Sequence, residues 1–178
     1  MDAASSFYEI ASPVGRLLLV GSVAGLAAIH FESRTTPPAI DPSWRKSRGP
    51  FRALIGQLKE YFRGERREFE VTLAPTGTPF QQLVWAELRR IPFGEVISYG
   101  ELARRIGKPT AFRAVGAANG ANPWPIVVPC HRVIGSDRSL TGFGGGLSAK
   151  QTLLRLEAEA SGASWLVPAP APRDRGYL

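Results

Sequence analysis

The sequence predicts an α+β protein in two parts, a small N-terminal α/β domain (1–74) and a mainly helical C-terminal domain (75–160), followed by a proline-rich tail (161–178). Three observations carry this reading. Short apolar runs broken by turn residues fill 7–31, helical spacing of apolar residues starts at Phe51 and dominates beyond Pro79, and "APTGTP" (74–79) reads as an exit linker between the two textures.

In chain order, "FYEIASPVGRLLLVGSVAGLAAIHF" (7–31) places turn signals at 12–15 and 21–25 between apolar runs, which predicts a strand meander. Residues 32–50, rich in Pro, Ser and Arg, form a loop. Phe51, Leu54, Ile55, Leu58, Tyr61 and Phe62 then fall at helical spacing before Gly64, and "REFEVTL" (67–73) alternates as a further strand. Thr78 caps a helix with Pro79 in its first turn and Phe80, Leu83, Val84, Leu88 and Ile91 on its buried face. Ser98-Tyr99-Gly100-Glu101 reads as a capping box for a second helix stopped by Gly107, and Thr110 caps a third, "AFRAVGAANGA" (111–121). This pair has helix-turn-helix spacing, equally compatible with an ordinary antiparallel pair. Its small residues Ala114, Gly116, Ala117 and Ala118 make a slim helix that can approach a backbone or a nucleic-acid groove. Prolines 123, 125 and 129 interrupt "WPIVVPCHRVI", four glycines crowd "TGFGGGL" (141–147), and a last helix runs from Leu147 to Glu159.

The 178 residues are 44% hydrophobic and 21% charged, as expected of a globular chain able to bury a core. No apolar run approaches the ~20 residues of a membrane span, and "MDAASSFYEI" lacks a basic stretch followed by an apolar one, so the protein is expected in the cytoplasm, at the nucleoid of a prokaryote or in the nucleus of a eukaryote. One cysteine and two histidines supply too few soft ligands for a zinc site, and no metal or cofactor is expected. The net charge of +7 favours a polyanionic partner, and a surplus of four persists over 79–160, where ten Lys/Arg face six Asp/Glu.

Cys130, the sole cysteine, adjoins His131 in "VVPCHRVIG". A thiolate is the reactive form of cysteine, and with an unperturbed pKa of ~8.5 it requires a base or a cation nearby. In a regular strand adjacent side chains point to opposite faces, so His131 would reach Cys130 only through a bend or a bridging water, which Pro129 makes room for. His131 in turn needs an orienting group, and Glu157 on the last helix is one candidate, with a solvated helix residue as the alternative.

"FGEVISYGELA", "FRAVGAANGANPWPIVVPCHRVI" and "GFGGGLSAK" together resemble, in order and spacing, the O6-alkylguanine-DNA alkyltransferases, also called methylated-DNA–protein-cysteine methyltransferases. The resemblance runs from Phe80 to Glu157 and is loose before it. It implies a ribonuclease H-like N-terminal domain, a winged-helix-like C-terminal domain, and a single irreversible transfer of the alkyl group from O6 of guanine to Cys130, one lesion per molecule, without cofactor. O4-alkylthymine is a further substrate in view. By the same resemblance His131 is the base acting through water, Glu157 orients it, Asn122 fixes the turn, and Tyr99 gives a proton to the leaving guanine. Arg113 fills the space of a base flipped from the minor groove of double-stranded DNA, and Tyr99, Gly100, Lys108 and Ser136 contact the DNA. Val133, Gly142, Phe143 and Gly144 line the base pocket, and cooperative self-association on DNA is a further expectation.

Two departures matter. The cysteines with which eukaryotic members bind zinc are missing, and Phe143-Gly144 stands where many relatives have tyrosine and serine, which implies a more apolar, roomier pocket. The competing readings are a non-catalytic alkyltransferase-like lesion-binding protein, which Cys130 argues against, a thiol hydrolase, and a helix-turn-helix regulator.

Overall fold

The computed structural model describes residues 5–32 and 40–163. Residues 164–178 of the expected tail (161–178) and 33–39 of the expected 32–50 loop lie outside these residues, and Ser161 still belongs to the last helix. The meander forms as β1 (Ser6–Ile10), β2 (Leu17–Ser22) and β3 (Gly25–Phe31), all antiparallel. A tight turn between β1 and β2 closes on reciprocal Ser12–Gly15 backbone bonds of 3.1 Å each, with Gly15 at φ +92°, a left-handed conformation that suits glycine. The predicted loop adds a two-residue strand, β4 (Arg45–Lys46), parallel to β1, so the sheet order is β3-β2-β1-β4.

Helix α1 (Arg52–Phe62) lays Leu54, Ile55, Leu58 and Tyr61 on the sheet residues Leu17, Leu19, Leu26 and Ile29. The expected strand 67–73 does not form. Only Leu73 bridges to Leu26, because Gln57 on α1 takes both backbone groups of Glu70, at 3.0 and 2.8 Å, and diverts the segment from the sheet.

The second part contains α2 (Pro79–Leu88), a short β5 (Ile97–Ser98), α3 (Tyr99–Arg105), α4 (Phe112–Gly120), β6 (Val133–Ile134) and α5 (Gly146–Ser161). Strands β5 and β6 pair in parallel beside the helix-turn-helix. The architecture is thus α+β, a small sheet unit followed by a helical unit. Of the three expected caps, that of α2 forms as expected and those of α3 and α4 differ. Thr78 and Gln81 make the complete reciprocal capping box of α2. At α3 Ser98 Oγ accepts from the Glu101 amide, but the Glu101 carboxylate turns away to Arg104 and Arg105, leaving half a box. Thr110 does not cap α4, which starts after Ala111 without a side-chain cap. Leu83 is exposed and Trp85 takes the buried position, its indole N–H donating to the Ala118 carbonyl at 2.8 Å.

One continuous core joins the two units. Trp124 packs edge-on against Trp85, centroids 5.3 Å apart, and donates to the Leu26 carbonyl at 2.8 Å, while the Ile29 amide donates to Pro123 O at 2.8 Å. Strand β3 is thereby fastened to the turn that carries the cysteine.

Candidate active site

Residues 122–132 form that turn. Asn122 spans it, its Nδ2 donating to Val128 O at 2.8 Å and its Oδ1 accepting from the Trp124 amide at 3.0 Å. Val128 N closes back onto Trp124 O at 2.8 Å, and Ile126 is forced to φ +76°, an uncommon conformation for a β-branched residue. Cys130–Arg132 is a single 3-10 turn, not a strand, which sets adjacent side chains about 120° apart instead of on opposite faces. Cys130 lines a cavity, whereas His131 turns into the protein toward α5.

Glu157 is fully buried and saturated. Its Oε1 lies 2.7 Å from His131 Nε2, accepts from Tyr61 Oη at 2.7 Å and from Arg132 Nη2 at 3.0 Å, while Oε2 accepts from Arg132 Nε at 2.9 Å and from the Gly94 amide at 3.1 Å. Burial alone would raise this carboxyl, but His131 and Arg132 outweigh it and hold Glu157 well below the ordinary carboxylate range. Burial pushes His131 the other way, below its ordinary value, and leaves the ring neutral at neutral pH. Arg132 is therefore the standing counter-charge of Glu157. With Nε2–H donated to the carboxylate, Nδ1 carries the lone pair, and this buried nitrogen has no hydrogen-bond partner among the described protein groups.

Burial raises the Cys130 thiol, against the pull of the Asn122 side chain, the Lys150 charge and the backbone amides of Cys130 and His131. Lys150, fully buried on α5, donates to Val133 O at 2.6 Å and to Thr141 O at 2.8 Å, and burial lowers its pKa to about 8. Cys130, His131, Asn122 and Glu157 are thus brought to one place.

The inner cavity at Cys130 is small, about 50 Å³, and is lined by Asn122, Gly142, Phe143 and Gly144 together with β3 residues of the N-terminal unit. The Phe143 loop approaches β3 so closely that a Cβ on Gly145 would lie 2.7 Å from the Phe31 ring, and Phe31 meets Phe143 edge-on at 5.3 Å. A wider, open recess of about 520 Å³ continues outward between Tyr99, Phe112, Gly116 and the same glycine loop. Tyr99, at its wall, accepts from Thr141 Oγ1 at 3.4 Å, and burial raises its pKa. Val133 lines neither space, since its carbonyl is held by Lys150 and its backbone pairs with Ile97. Arg113, Lys108 and Ser136 lie exposed, and Gly100 is part-exposed in the first turn of α3.

Sequence reasoning missed Tyr61, Arg132's pairing, Lys150 and Phe112. A helical Tyr within an apolar stripe and a Lys among α5 polar residues read as ordinary core and surface. Phe112, half exposed beside Arg113, whose guanidinium lies 5.7 Å from its ring centroid, stands next to the expected reading position.

Two family models cover most of the chain. The ribonuclease-like domain of 6-O-methylguanine DNA methyltransferase matches residues 6–75, and the DNA binding domain of the same family matches 79–159. Proteins named methylated-DNA–protein-cysteine methyltransferase are similar at 48% identity, one from Methanosarcina acetivorans (82% of this chain, 94% of that protein) and one from Mycobacterium tuberculosis (85% and 91%). The crystal structure of Mycobacterium tuberculosis OGT in complex with DNA superimposes with a TM-score of 0.81 at 45% identity, covering 93% of this chain and 96% of that one. By both family models and by these relatives, the chain belongs to the 6-O-methylguanine DNA methyltransferase family.

Proposed function

We propose that this protein repairs alkylated DNA by direct reversal, moving the alkyl group of an O6-alkylguanine, and of O4-alkylthymine as a further substrate, irreversibly onto Cys130. The observation that carries this reading is the thiol at the closed end of a cavity, beside a histidine with one ring nitrogen fixed on Glu157 and the other buried and unpaired. The names of the relatives, and the DNA in one of their crystal structures, support the reaction class and the partner.

His131 Nδ1 takes the Cys130 proton through a bridging water, and Glu157 stabilises the ring as it gains charge. The thiolate then attacks the alkyl carbon. A new S–C bond forms as the C–O6 bond breaks, and its electron pair passes to the guanine, which receives a proton from Tyr99 and leaves neutral. Lys150 adds a positive field at the sulfur. The thioether has no ready leaving route, so each molecule acts once, in the cytoplasm or wherever the cell keeps its DNA.

The reacting atom is inaccessible in a duplex, and extrusion of the base costs a few kcal/mol. Helix α4 enters the minor groove, and Arg113 replaces the extruded base in the stack. Tyr99, Gly100, Lys108 and Ser136 contact the strand, and copies of the protein assemble along the duplex. Cys130 favours this reading over the non-catalytic lesion-binding one. Intact-protein mass after mixing with O6-methylguanine DNA tests it. One methyl group per chain, located on Cys130, is expected; many lesions repaired per molecule, or an unmodified protein with repaired DNA, would overturn it.

A further inference from the structure

The 125–132 turn has two sides. Pro125 and Cys130 face the inner cavity, while Ile126, Val127, Pro129 and Arg132 line a separate cleft of about 740 Å³ on the other side. This volume is in the ~300–1,000 Å³ range of ligand sites. No residue of α3 or α4 lines it, so it is independent of the helix-turn-helix.

Its walls are strongly cationic. Arg67 comes from the N-terminal unit, Arg89 and Arg90 from the end of α2, and Glu68 is the one lining carboxylate. Arg90 is shared with Glu87 at 3.2 Å, but Arg67 and Arg89 have no ion pair among the described residues. Arg67 and the buried Arg132 each place a guanidinium 5.7 Å from the centroid of the Phe93 ring. That ring is therefore engaged by cations and is a poor stacking platform for a base. A concave site with unpaired guanidiniums over a low-dielectric floor of Phe69, Phe93 and Pro129 concentrates positive potential. Guanidinium forks match phosphate oxygens, and the aromatic floor offers little to a nucleobase, so the chemistry selects the phosphate group.

We infer that this cleft is a phosphate-binding site, separate from the α4 surface and backed directly by the reactive turn. The phosphate is supplied either by a nucleic-acid strand that α4 does not hold or by a free polyphosphate. The inference stands apart from the reaction at Cys130, because its test uses undamaged nucleic acid.

The test compares the full-length wild-type protein with an Arg67→Ala/Arg89→Ala variant and an Arg113→Ala variant. Binding of a labelled eight-nucleotide oligothymidylate is followed by anisotropy over a salt series, and pyrophosphate binding by calorimetry. Loss of two charge-assisted contacts should weaken binding at the cleft by about tenfold or more, and for a strand should flatten the logarithmic salt slope by about 0.7 per arginine removed. Arg113→Ala should retain this component. If only the oligonucleotide loses affinity in the double variant, the source is a strand; if only pyrophosphate does, it is a free polyphosphate. Both residues are exposed, and an unchanged rate of Cys130 with free benzylguanine checks that the variant is folded. Unaltered affinity for both ligands, or displacement by a polyglutamate peptide as effective as by pyrophosphate, would overturn the inference.

Discussion

Arg132 and Glu157 face each other through two parallel hydrogen bonds, Nε to Oε2 at 2.9 Å and Nη2 to Oε1 at 3.0 Å, both side chains withdrawn from solvent. The third donor of the same guanidinium, Nη1, is spent on Ile91 O at 2.6 Å. A bidentate fork fixes the plane of the carboxylate as well as its charge. His131 is therefore aimed by a group that cannot rotate.

Glu157→Gln should destabilise the fold by about 3–5 kcal/mol, because it strands a buried guanidinium. Tyr61→Phe removes one hydrogen bond to the same oxygen and should cost about 1 kcal/mol. Urea unfolding of both variants measures the difference, and equal losses would show that Glu157 is not the charged hub.

Acid should weaken the protein in two stages. His131 has a folded pKa below its ordinary 6.5, so the unfolded chain takes up a proton first and stability falls as the pH drops below that value. Glu157, also depressed when folded, adds a second loss below the ordinary carboxylate range. Melting temperature against pH should show both, and the lower stage should shrink in Glu157→Gln.

Lys150→Met should raise the thiol pKa, since it removes a positive charge acting on Cys130. The pH profile of Cys130 alkylation by a small reagent is expected to move to higher pH. In the wild type, the Lys150 value of about 8 against an ordinary 10.5 means that stability rises with pH between them, by about 3 kcal/mol in the limit. That alkaline gain should vanish in the variant.

Arg113→Ala should slow repair of duplex DNA far more than reaction with free benzylguanine, because only the duplex needs its gap filled. Tyr99→Phe should slow both, since the leaving base loses its proton donor. Single-turnover rates on the two substrates separate these roles, and parallel losses for Arg113→Ala would assign it to the chemistry.

The size of the adduct should matter after reaction. The inner cavity of about 50 Å³ has room for a methyl group, whereas a benzyl group must extend past the Phe143 loop into the outer recess. Benzylated protein should be less stable than methylated protein by about 1–3 kcal/mol, the usual cost of overfilling a packed site. Thermal melting of the two adducts decides it; identical temperatures would mean that the Phe143 loop simply opens.

Much of this was legible in the sequence. Apolar spacing and turn residues located α1 through α5, and Pro129 announced the irregular turn at Cys130 and His131. What escaped depends on long-range geometry. Gln57 overrides the alternation of 67–73 by capturing Glu70, and Glu101 prefers two arginines to its capping role. Tyr61 and Glu157 are 96 positions apart, and no local pattern reports such a pairing. Lys150 looks solvated until β6 and the glycine loop supply the carbonyls that bury it. The edge-on contact of Phe31 with Phe143 at the inner end of the pocket, between residues far apart in the chain, is likewise not written in any local pattern.

The fastening of β3 to the cysteine turn, through Trp124 to Leu26 and Ile29 to Pro123, has a consequence for how the chain could be divided. The segment 74–78 is a tether, and the reactive chamber is completed across it by walls from both sides. Cutting the tether should leave two fragments that are each silent toward benzylguanine and that regain thiol labelling on mixing, a split reporter whose signal reads out their reunion.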